Sequence, residues 1–366
     1  MTLVLDRISR VFGGETHLHD LSLTLAPGSL NVLFGPTLAG KTSLMRLMAG
    51  LDRPSGGRII WQGRDVTGRS VRTRDVAMVY QQFVNYPSFT VYDNIASPLK
   101  LAGLPKAEVD RKVREAAAIM HIDGLLGRLP AELSGGQQQR TAIARALVKE
   151  AGLLLLDEPL VNLDYKLREE LRTEMREIFK RRRSIVVYAT TEPLEALMLG
   201  GTIAVLHEGR LIQAGPTVEV YHGPSSLRVG QVFSDPPLNQ VDGVVDGAGV
   251  LLADGIRVPA AGHLADLPHG RYRFGVRANH LSVFREHEDD IPVPGTVELA
   301  EISGSETFIH VHGRGFAWVV QQEGVHSLGL GEQVTAWVNA RRLFAFGADG
   351  RLVAAPPRPR LGLAAE

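Results

Sequence analysis

The segment NVLFGPTLAGKTSLMRLMAGL, residues 31–51, is the most informative part of the sequence. A short apolar run ends at Phe34, a glycine-bearing loop follows, and the residues after the loop have a helical pattern. The loop matches G-x-x-x-x-G-K-[ST], whose backbone amides can cradle phosphate oxygens together with the positive end of the next helix. We expect Lys41 to reach the β and γ phosphates of a nucleotide and Thr42 to hold Mg²⁺. A plain glycine turn with an exposed lysine is the alternative, and the strand and helix around the loop disfavour it.

Three short apolar runs predict buried strands of one sheet: Leu30–Phe34, Leu153–Leu156 and Ser184–Ala189. They alternate with helical patterns up to about Val232. This alternation predicts an α/β fold with a largely parallel central sheet.

Two adjacent carboxylates, Asp157 and Glu158, follow the second of these runs. They therefore stand at the C-terminal end of a strand, where α/β sheets bind ligands. We expect Asp157 to orient Mg²⁺ and Glu158 to take a proton from an attacking water. A solvated pair of loop acids is the alternative.

The segment LSGGQQQR, residues 133–140, begins a predicted amphipathic helix with Ser134 as its N-cap. Together with the phosphate loop, it resembles the nucleotide-binding subunits of ABC transporters, whose signature motif is LSGGQ. The resemblance implies that two such domains pair head to tail, so that the signature of one chain closes over ATP held by the other. The signature residues here are Leu133, Ser134, Gly135, Gly136 and Gln137.

The resemblance assigns further residues by position. Gln81 matches the glutamine that senses Mg²⁺ and the membrane subunits, Phe12 the aromatic residue that stacks on adenine, and Asp164 the D-loop aspartate that reaches across the dimer. A polar loop residue, core packing and simple helix capping are the respective alternatives. The implied ATP-binding residues are Phe12, Gly35, Pro36, Thr37, Leu38, Ala39, Gly40, Lys41, Thr42 and Ser43. The implied Mg²⁺ ligands are Thr42, Gln81 and Asp157.

The resemblance continues beyond residues 233–239, where the sequence changes to short strands broken by glycine. FGVRANHL (274–281) and EISGSETFIHV (301–311) are similar to stretches of the regulatory β-domain of importers for carbohydrates, polyols and glycerol phosphate. We predict an ATP-binding domain at 1–235 with a helical subdomain at about 85–145. A small all-β, OB-like barrel domain at 236–355 and a mobile tail at 356–366 follow.

Composition excludes several other classes of protein. The 366 residues are 44% hydrophobic and 22% charged, as in a folded globular protein. Lys plus Arg and Asp plus Glu number 40 each, so no surplus charge recruits a nucleic acid. The absence of cysteine excludes disulfides and thiolate chemistry. We expect no secretion signal at the N-terminus and no membrane span.

The sequence departs from the family pattern at two positions. Leu38 replaces a glycine of the phosphate loop, and we expect it to shift or strain the turn. Thr191, in VVYATTEPLEAL, replaces the switch histidine that contacts the γ-phosphate beside the catalytic glutamate. Glu158, Gln81 and Thr191 are the candidate catalytic positions, and loss of the histidine predicts hydrolysis slowed by roughly 10²- to 10³-fold. The alternative is that threonine or a neighbour replaces it adequately.

An intact signature beside a weakened site predicts a heterodimer with a non-identical ATP-binding subunit. The resemblance further implies two transmembrane permease subunits, an extracytoplasmic solute-binding protein and a location at the cytoplasmic face of the inner membrane. The solute would be a sugar, a polyol, glycerol or glycerol phosphate.

Three other functions compete with this interpretation. A catalytically weak regulatory ATP-binding subunit would explain Leu38 and Thr191 but not the retained Glu158. A soluble, non-transport ABC ATPase of DNA repair or translation would normally have two fused cassettes or a long coiled-coil insertion. A P-loop GTPase would leave LSGGQ and Phe12 unexplained.

Overall fold

The computed structural model describes residues 2–82, 84–161 and 163–358. The chain divides into two compact units between Thr217 and Val218. The change of sequence texture at 233–239 follows two short helices, Thr217–His222 and Leu227–Val232, and ends where the first strand of the second unit begins. Residues 359–366 of the predicted mobile tail lie outside the described residues.

The first unit contains ten strands and the helices between them, within the described residues. The strands are β1 (Leu3–Phe12), β2 (Glu15–Leu25), β3 (Leu30–Phe34), β4 (Gly56–Trp61), β5 (Arg64–Asp65), β6 (Val76–Val79), β7 (Leu153–Asp157), β8 (Ile185–Thr190), β9 (Thr202–His207) and β10 (Arg210–Pro216). The helices are α1 (Lys41–Ala49), α2 (Val91–Leu101), α3 (Lys106–Ile119), α4 (Gly135–Val148), α5 (Tyr165–Arg181), α6 (Pro193–Leu199) and α7 (Thr217–His222), the last of which crosses the division.

The central sheet of the first unit has six strands in the order β10-β9-β3-β8-β7-β6. All neighbours pair in parallel except β9 and β10. β7 and β8 are buried along their whole length, because helices or the second sheet cover both faces. The predicted α/β fold with a largely parallel sheet is therefore confirmed.

A second, antiparallel sheet has the order β2-β1-β4-β5. Its apolar side chains share one core with α1 and the central sheet, including Leu5, Leu21 and Ile59. Helices α2, α3 and α4 lie between β6 and β7 in the sequence, and α2 packs against α4. One apolar face of α3 is buried, and it consists of Val109, Val113, Ala116 and the following Met120.

Arg74 anchors the C-terminal end of α1, the helix that begins at the phosphate loop. Its guanidinium donates to the carbonyls of Leu47 (3.1 Å) and Met48 (2.7 Å), and also to Val66 O (2.6 Å) and Arg69 O (3.2 Å). A cation that satisfies the last carbonyls of a helix stabilises it. Partial burial lowers the pKa of Arg74 from its ordinary value.

We expect Arg74→Ala to lower the free energy of unfolding by about 2 kcal/mol, because it leaves partly buried carbonyls without donors. The melting temperature should fall by about 6 °C. Arg72→Ala, at an exposed position two residues earlier, is the control and should change the free energy by less than about 0.5 kcal/mol. Equal melting temperatures for the two variants would contradict the anchoring role.

The second unit is dominated by antiparallel strands. Its remaining elements are α8 (Leu227–Val232), β11 (Asn239–Asp246), β12 (Gly249–Leu252), β13 (Arg257–Val258), β14 (Gly270–Val276), β15 (Leu281–Ser282), β16 (Ile291–Ser303), β17 (Glu306–Gly313), β18 (Phe316–Glu323), β19 (Gln333–Val338), β20 (Phe344–Phe346) and β21 (Leu352–Ala354). They form sheets of order β13-β12-β11-β14-β20-β21 and β15-β19-β16-β17-β18. Asn239 of the first sheet exchanges two hydrogen bonds with the Val319 backbone of the second. The predicted all-β C-terminal domain is confirmed.

Candidate nucleotide-binding site

The parallel sheet brings four functional segments to one edge. The C-terminal ends of β3, β8, β7 and β6 lie side by side in that order. β3 leads into the phosphate loop, β8 into Thr191, β7 into Glu158 and β6 towards Gln81. Because parallel strands end at the same edge, residues far apart in sequence meet there.

The phosphate loop is held close to the sheet at its glycines. A Cβ at Gly35 would lie 2.2 Å from the carbonyl oxygen of Leu206, and one at Gly40 would lie 2.8 Å from Leu18. Leu38 has φ of 67°, the left-handed region that an L-residue adopts at a cost, and its side chain is 95% exposed. The expected strain at this position is therefore present in the backbone.

Lys41 is the buried cation of the loop. Its ammonium donates to the carbonyls of Gly35 (2.9 Å) and Pro36 (3.1 Å) and lies 3.3 Å from Glu158 Oε1. Burial lowers the pKa of Lys41, and the nearby Glu158 opposes this shift. Since two ammonium protons point to loop carbonyls, a phosphate would compete with Glu158 for the third.

Thr42 and Asp157 form the other contact between β7 and the loop. The Thr42 hydroxyl donates to Asp157 Oδ2 at 2.7 Å, while Asp157 Oδ1 is buried and makes no hydrogen bond to the described residues. Burial raises the pKa of Asp157, and the Thr42 hydrogen bond opposes the shift. A buried carboxylate oxygen without a donor costs stability, as expected where a site is built for a ligand.

We expect Asp157→Asn to stabilise the folded chain by about 1 kcal/mol, because the amide removes a buried charge and keeps an acceptor for Thr42. The melting temperature should rise by about 3 °C, while Mg²⁺-dependent nucleotide affinity should fall. Thermal melts and titration of a fluorescent ATP analogue with and without Mg²⁺ measure both effects. A lower melting temperature would show that the Asp157 charge contributes to the fold.

Glu158 stands directly between the phosphate loop and Gln81. Gln81 Nε2 donates to Glu158 Oε2 at 3.1 Å, while Oε1 faces Lys41. The Glu158 backbone has φ of 47°, a costly conformation that is typical of functional positions. Its N–H donates to Ala189 O at 3.1 Å, which ties it to the neighbouring strand β8.

A cleft of about 510 Å³ opens along these residues. Among the predicted site residues, its lining contains Thr37, Leu38, Ala39, Gly40, Lys41, Thr42, Ser43, Gln81 and Glu158. Gly35 and Pro36 are connected to the cleft because their carbonyls accept hydrogen bonds from the Lys41 ammonium. Asp157 is connected to it because its carboxylate accepts a hydrogen bond from the Thr42 hydroxyl. Sequence reasoning missed six residues of the lining: Glu15, Thr16, His17, His19, Glu208 and Gly209.

Phe12 is 67% exposed, which excludes core packing for its ring. It ends β1 next to the turn Gly13–Gly14, both with positive φ. The Arg10 guanidinium lies 5.7 Å from the ring centroid, and His17 packs edge-on at 6.2 Å. Phe12 is not part of the cleft lining, but His17 is, so the two rings mark one end of the cleft.

The signature segment caps α4. The Ser134 hydroxyl accepts from the N–H of Gln137 at 3.3 Å, and the Gln137 side chain accepts from the N–H of Ser134 at 3.0 Å. Leu133 is buried, whereas Ser134 and Gly135 are exposed. Residues 133–137 do not line the cleft, so within one chain they form a separate surface.

Asp164 and Thr191 also lie outside the cleft lining. Asp164 accepts from the N–H of Leu167 at 3.0 Å and is the N-cap of α5, so the predicted capping is present. Thr191 follows β8 immediately and is partly buried.

The oxygen donors at this edge fit Mg²⁺. Mg²⁺ is usually held by one or two carboxylates together with substrate phosphates and water. Asp157 offers an unpartnered buried oxygen, Thr42 a hydroxyl and Gln81 a carboxamide. Among the described residues, no group of three or more His, Asp or Glu side chains could hold a metal without such a substrate.

No helix of the described part of the chain is long and apolar enough to cross a bilayer.

Known protein families match both units. A family described as ABC transporter matches residues 18–161, and one described as TOBE domain matches residues 274–346. A solved dimer of an ATP-binding cassette bound to ADP and Pi has a TM-score of 0.54 and 25% identity, covering 59% of this chain and 98% of that one.

Curated relatives cover most of the chain. The sn-glycerol-3-phosphate import ATP-binding protein UgpC of Salmonella typhi is 37% identical over 311 residues, 84% of this chain and 87% of that protein. The protein of the same name in Brucella abortus is 34% identical over 358 residues, 96% of this chain and 99% of that protein. One named UgpC 3 in Rhizobium etli is 39% identical over 304 residues, 83% of this chain and 84% of that protein.

Proposed function

Because this chain belongs to the ABC transporter family, among the ATP-binding subunits of carbohydrate, polyol and glycerol-phosphate importers, we propose that it supplies one half of an asymmetric ATPase pair. Such subunits couple ATP hydrolysis to solute import. The observation that supports this proposal most strongly is that Glu158 contacts both Lys41 and Gln81 in one cleft, at the C-terminal ends of the parallel strands. This arrangement brings a phosphate-binding cation and a carboxylate base within reach of the same phosphate.

Residues in and around the cleft divide the work of hydrolysis. Lys41 and the amides of the loop bind the β and γ phosphates, and Phe12 stacks on adenine. Thr42, Asp157 and Gln81 would hold Mg²⁺, which would neutralise phosphate charge when bound. Glu158 accepts the proton of the attacking water. Gln81, whose amide donates to Glu158, orients that carboxylate.

The two departures from the family pattern support asymmetry. Thr191 offers no imidazole to the γ-phosphate, so the site built on this chain's own phosphate loop turns over slowly. The signature segment is complete and exposed at Ser134 and Gly135, so it can close the site of a different subunit. Asp164 reaches across the same dimer. Leu38 strains the loop and weakens ATP binding to this chain.

The assembly follows from this role. Two permease subunits hold the ATPase pair at the cytoplasmic face of the inner membrane, and an extracytoplasmic solute-binding protein delivers the solute. The similarity to sn-glycerol-3-phosphate import proteins favours glycerol phosphate over a sugar, a polyol or glycerol.

The test is the ATPase rate of the purified chain alone and mixed with the second ATP-binding subunit that copurifies with it. We expect a rate alone at least about tenfold below that of the mixture. A fully active homodimer would contradict the asymmetric pair. No activity in either sample, with ATP still bound, would favour a regulatory subunit.

A further inference from the structure

A buried carboxylate, Glu195, lies beside the site in the first turn of α6 and is 5% exposed. The Tyr188 hydroxyl donates to its Oε1 at 2.6 Å, and the Thr190 hydroxyl donates to its Oε2. Burial raises the pKa of Glu195. No arginine, lysine or histidine of the described residues forms an ion pair with it within 4.0 Å. Both oxygens of Glu195 thus have a hydroxyl donor, and the charge of the buried Arg172 lowers its pKa, against the effect of burial. A buried carboxylate held in this way fixes the side chains that donate to it.

The Thr190 hydroxyl connects this carboxylate to the chain on the other side of Thr191. Besides donating to Glu195, it accepts from the N–H of Glu192 at 3.1 Å. The backbone therefore turns around Thr191 with both neighbours held by one hydroxyl. A rotation of the Thr190 side chain would break both bonds at once.

A second set of contacts holds the same turn from the segment that precedes α5. Arg168 Nη1 donates to Glu192 Oε1 at 2.6 Å, and Arg168 Nη2 donates to the carbonyls of Val161 (3.3 Å) and Leu163 (3.4 Å). Glu192 is thus held through its backbone by Thr190 and through its side chain by Arg168.

The register of β8 shows what this turn positions. Thr190 pairs with Phe34, the last residue before the phosphate loop, and Ala189 pairs with Asp157 on the other side. β8 therefore lies between the strand that carries the loop and the strand that carries Glu158. A shift at the end of β8 would move residue 191 relative to both phosphate and base.

We infer that Glu195 is a positioning residue for ATP hydrolysis, which acts through Thr190 to fix residue 191 relative to Glu158. The inference rests on the proposed function, in which the side chain at position 191 limits turnover. It predicts that breaking the Thr190 link lowers kcat, because misplacement at a reacting site is costly, and leaves KM for ATP unchanged, because no loop contact is lost.

The test compares Thr190→Val with Thr190→Ser in the full chain carrying Thr191→His, where residue 191 has its largest role. We expect the isosteric valine to lower kcat about tenfold with KM within about twofold, and serine, which keeps the hydroxyl, to retain kcat. The Glu192 amide should exchange hydrogen faster in the valine variant only.

Thr307→Val is the matched control in the second unit. Thr307 is fully buried, and its hydroxyl also makes two hydrogen bonds: it donates to the Gly324 carbonyl (2.8 Å) and accepts from the His326 amide (3.0 Å). We expect it to lower the melting temperature without changing kcat. If Thr190→Val, Thr190→Ser and the chain with Thr191→His alone have equal kcat, the inference would be overturned, while the proposed function would stand. If the chain that carries only Thr191→His hydrolyses no ATP, both the proposed function and this inference would be overturned.

If the Thr190→Val variant does not fold, the Tyr188→Phe variant is measured in its place. It keeps the ring in the core and removes one of the two donors to Glu195. We expect kcat to fall about threefold with KM unchanged. A kcat equal to that of the parent would again overturn the inference.

Discussion

Thr191→His is expected to raise the ATP hydrolysis rate of the purified chain by about 10²-fold. Thr191 follows β8, which lies between the strand of the phosphate loop and the strand of Glu158. An imidazole at this position can donate to the γ-phosphate and orient the attacking water, whereas the threonine hydroxyl is shorter and cannot carry a positive charge. The gain should appear in kcat, because the γ-phosphate contact strengthens in the transition state.

The matched control for this gain is Thr173→His, on the exposed face of α5. It adds the same imidazole away from the cleft and should leave the rate unchanged. Colorimetric release of phosphate at saturating ATP measures both variants. If Thr191→His stays within about twofold of the parent, threonine or a neighbour already does the work of the histidine.

Glu158→Gln, placed in the Thr191→His chain, is expected to lower the hydrolysis rate by about 10³-fold. Glutamine keeps the shape of the side chain and the contact with Gln81, but it cannot accept the proton of water. The substitution also removes the ion pair between Lys41 Nζ and Glu158 Oε1, which lie 3.3 Å apart. Affinity for ATP should be kept or increased, since a phosphate no longer competes with a carboxylate for the ammonium.

Glu208→Gln is the control for this loss. Glu208 lines the same cleft but follows β9, not β7, and its side chain is exposed. Its replacement should leave the rate within about twofold. A Glu158→Gln chain that keeps more than about a tenth of the activity would show that another group accepts the proton.

The sequence predicts the parallel part of the fold well. The strand before the phosphate loop, Leu30–Phe34, is found with the predicted bounds, and the two other predicted strands differ by one residue at one or both ends. These strands are buried on both faces, so their apolar runs are unbroken and easy to detect. Since parallel strands share one edge, the meeting of Lys41, Thr42, Asp157 and Glu158 follows from the same patterns.

Other parts of the site have no signal in a single sequence. His17, His19 and Glu208 reach the cleft because β2 and the turn after β9 lie next to the phosphate loop: Gly209 O accepts from the N–H of His19 at 2.9 Å, and Gly209 N–H donates to Ala39 O at 3.1 Å. These contacts join segments about 170 to 190 residues apart without any motif. The pairing of Glu195 with Thr190 is local, but its burial depends on the packing of α6, which the sequence pattern does not contain.

In the proposed pair, this chain's signature serves an active site on another subunit while its own site is weak. The most direct measurement is the ATPase rate of the mixed pair, with either Ser134→Arg or Glu158→Gln in this chain and an unchanged partner. We expect Ser134→Arg to lower the rate at least about tenfold, because it blocks the partner's site, and Glu158→Gln to leave more than about half of the rate. Loss of activity with Glu158→Gln and full activity with Ser134→Arg would contradict this asymmetry.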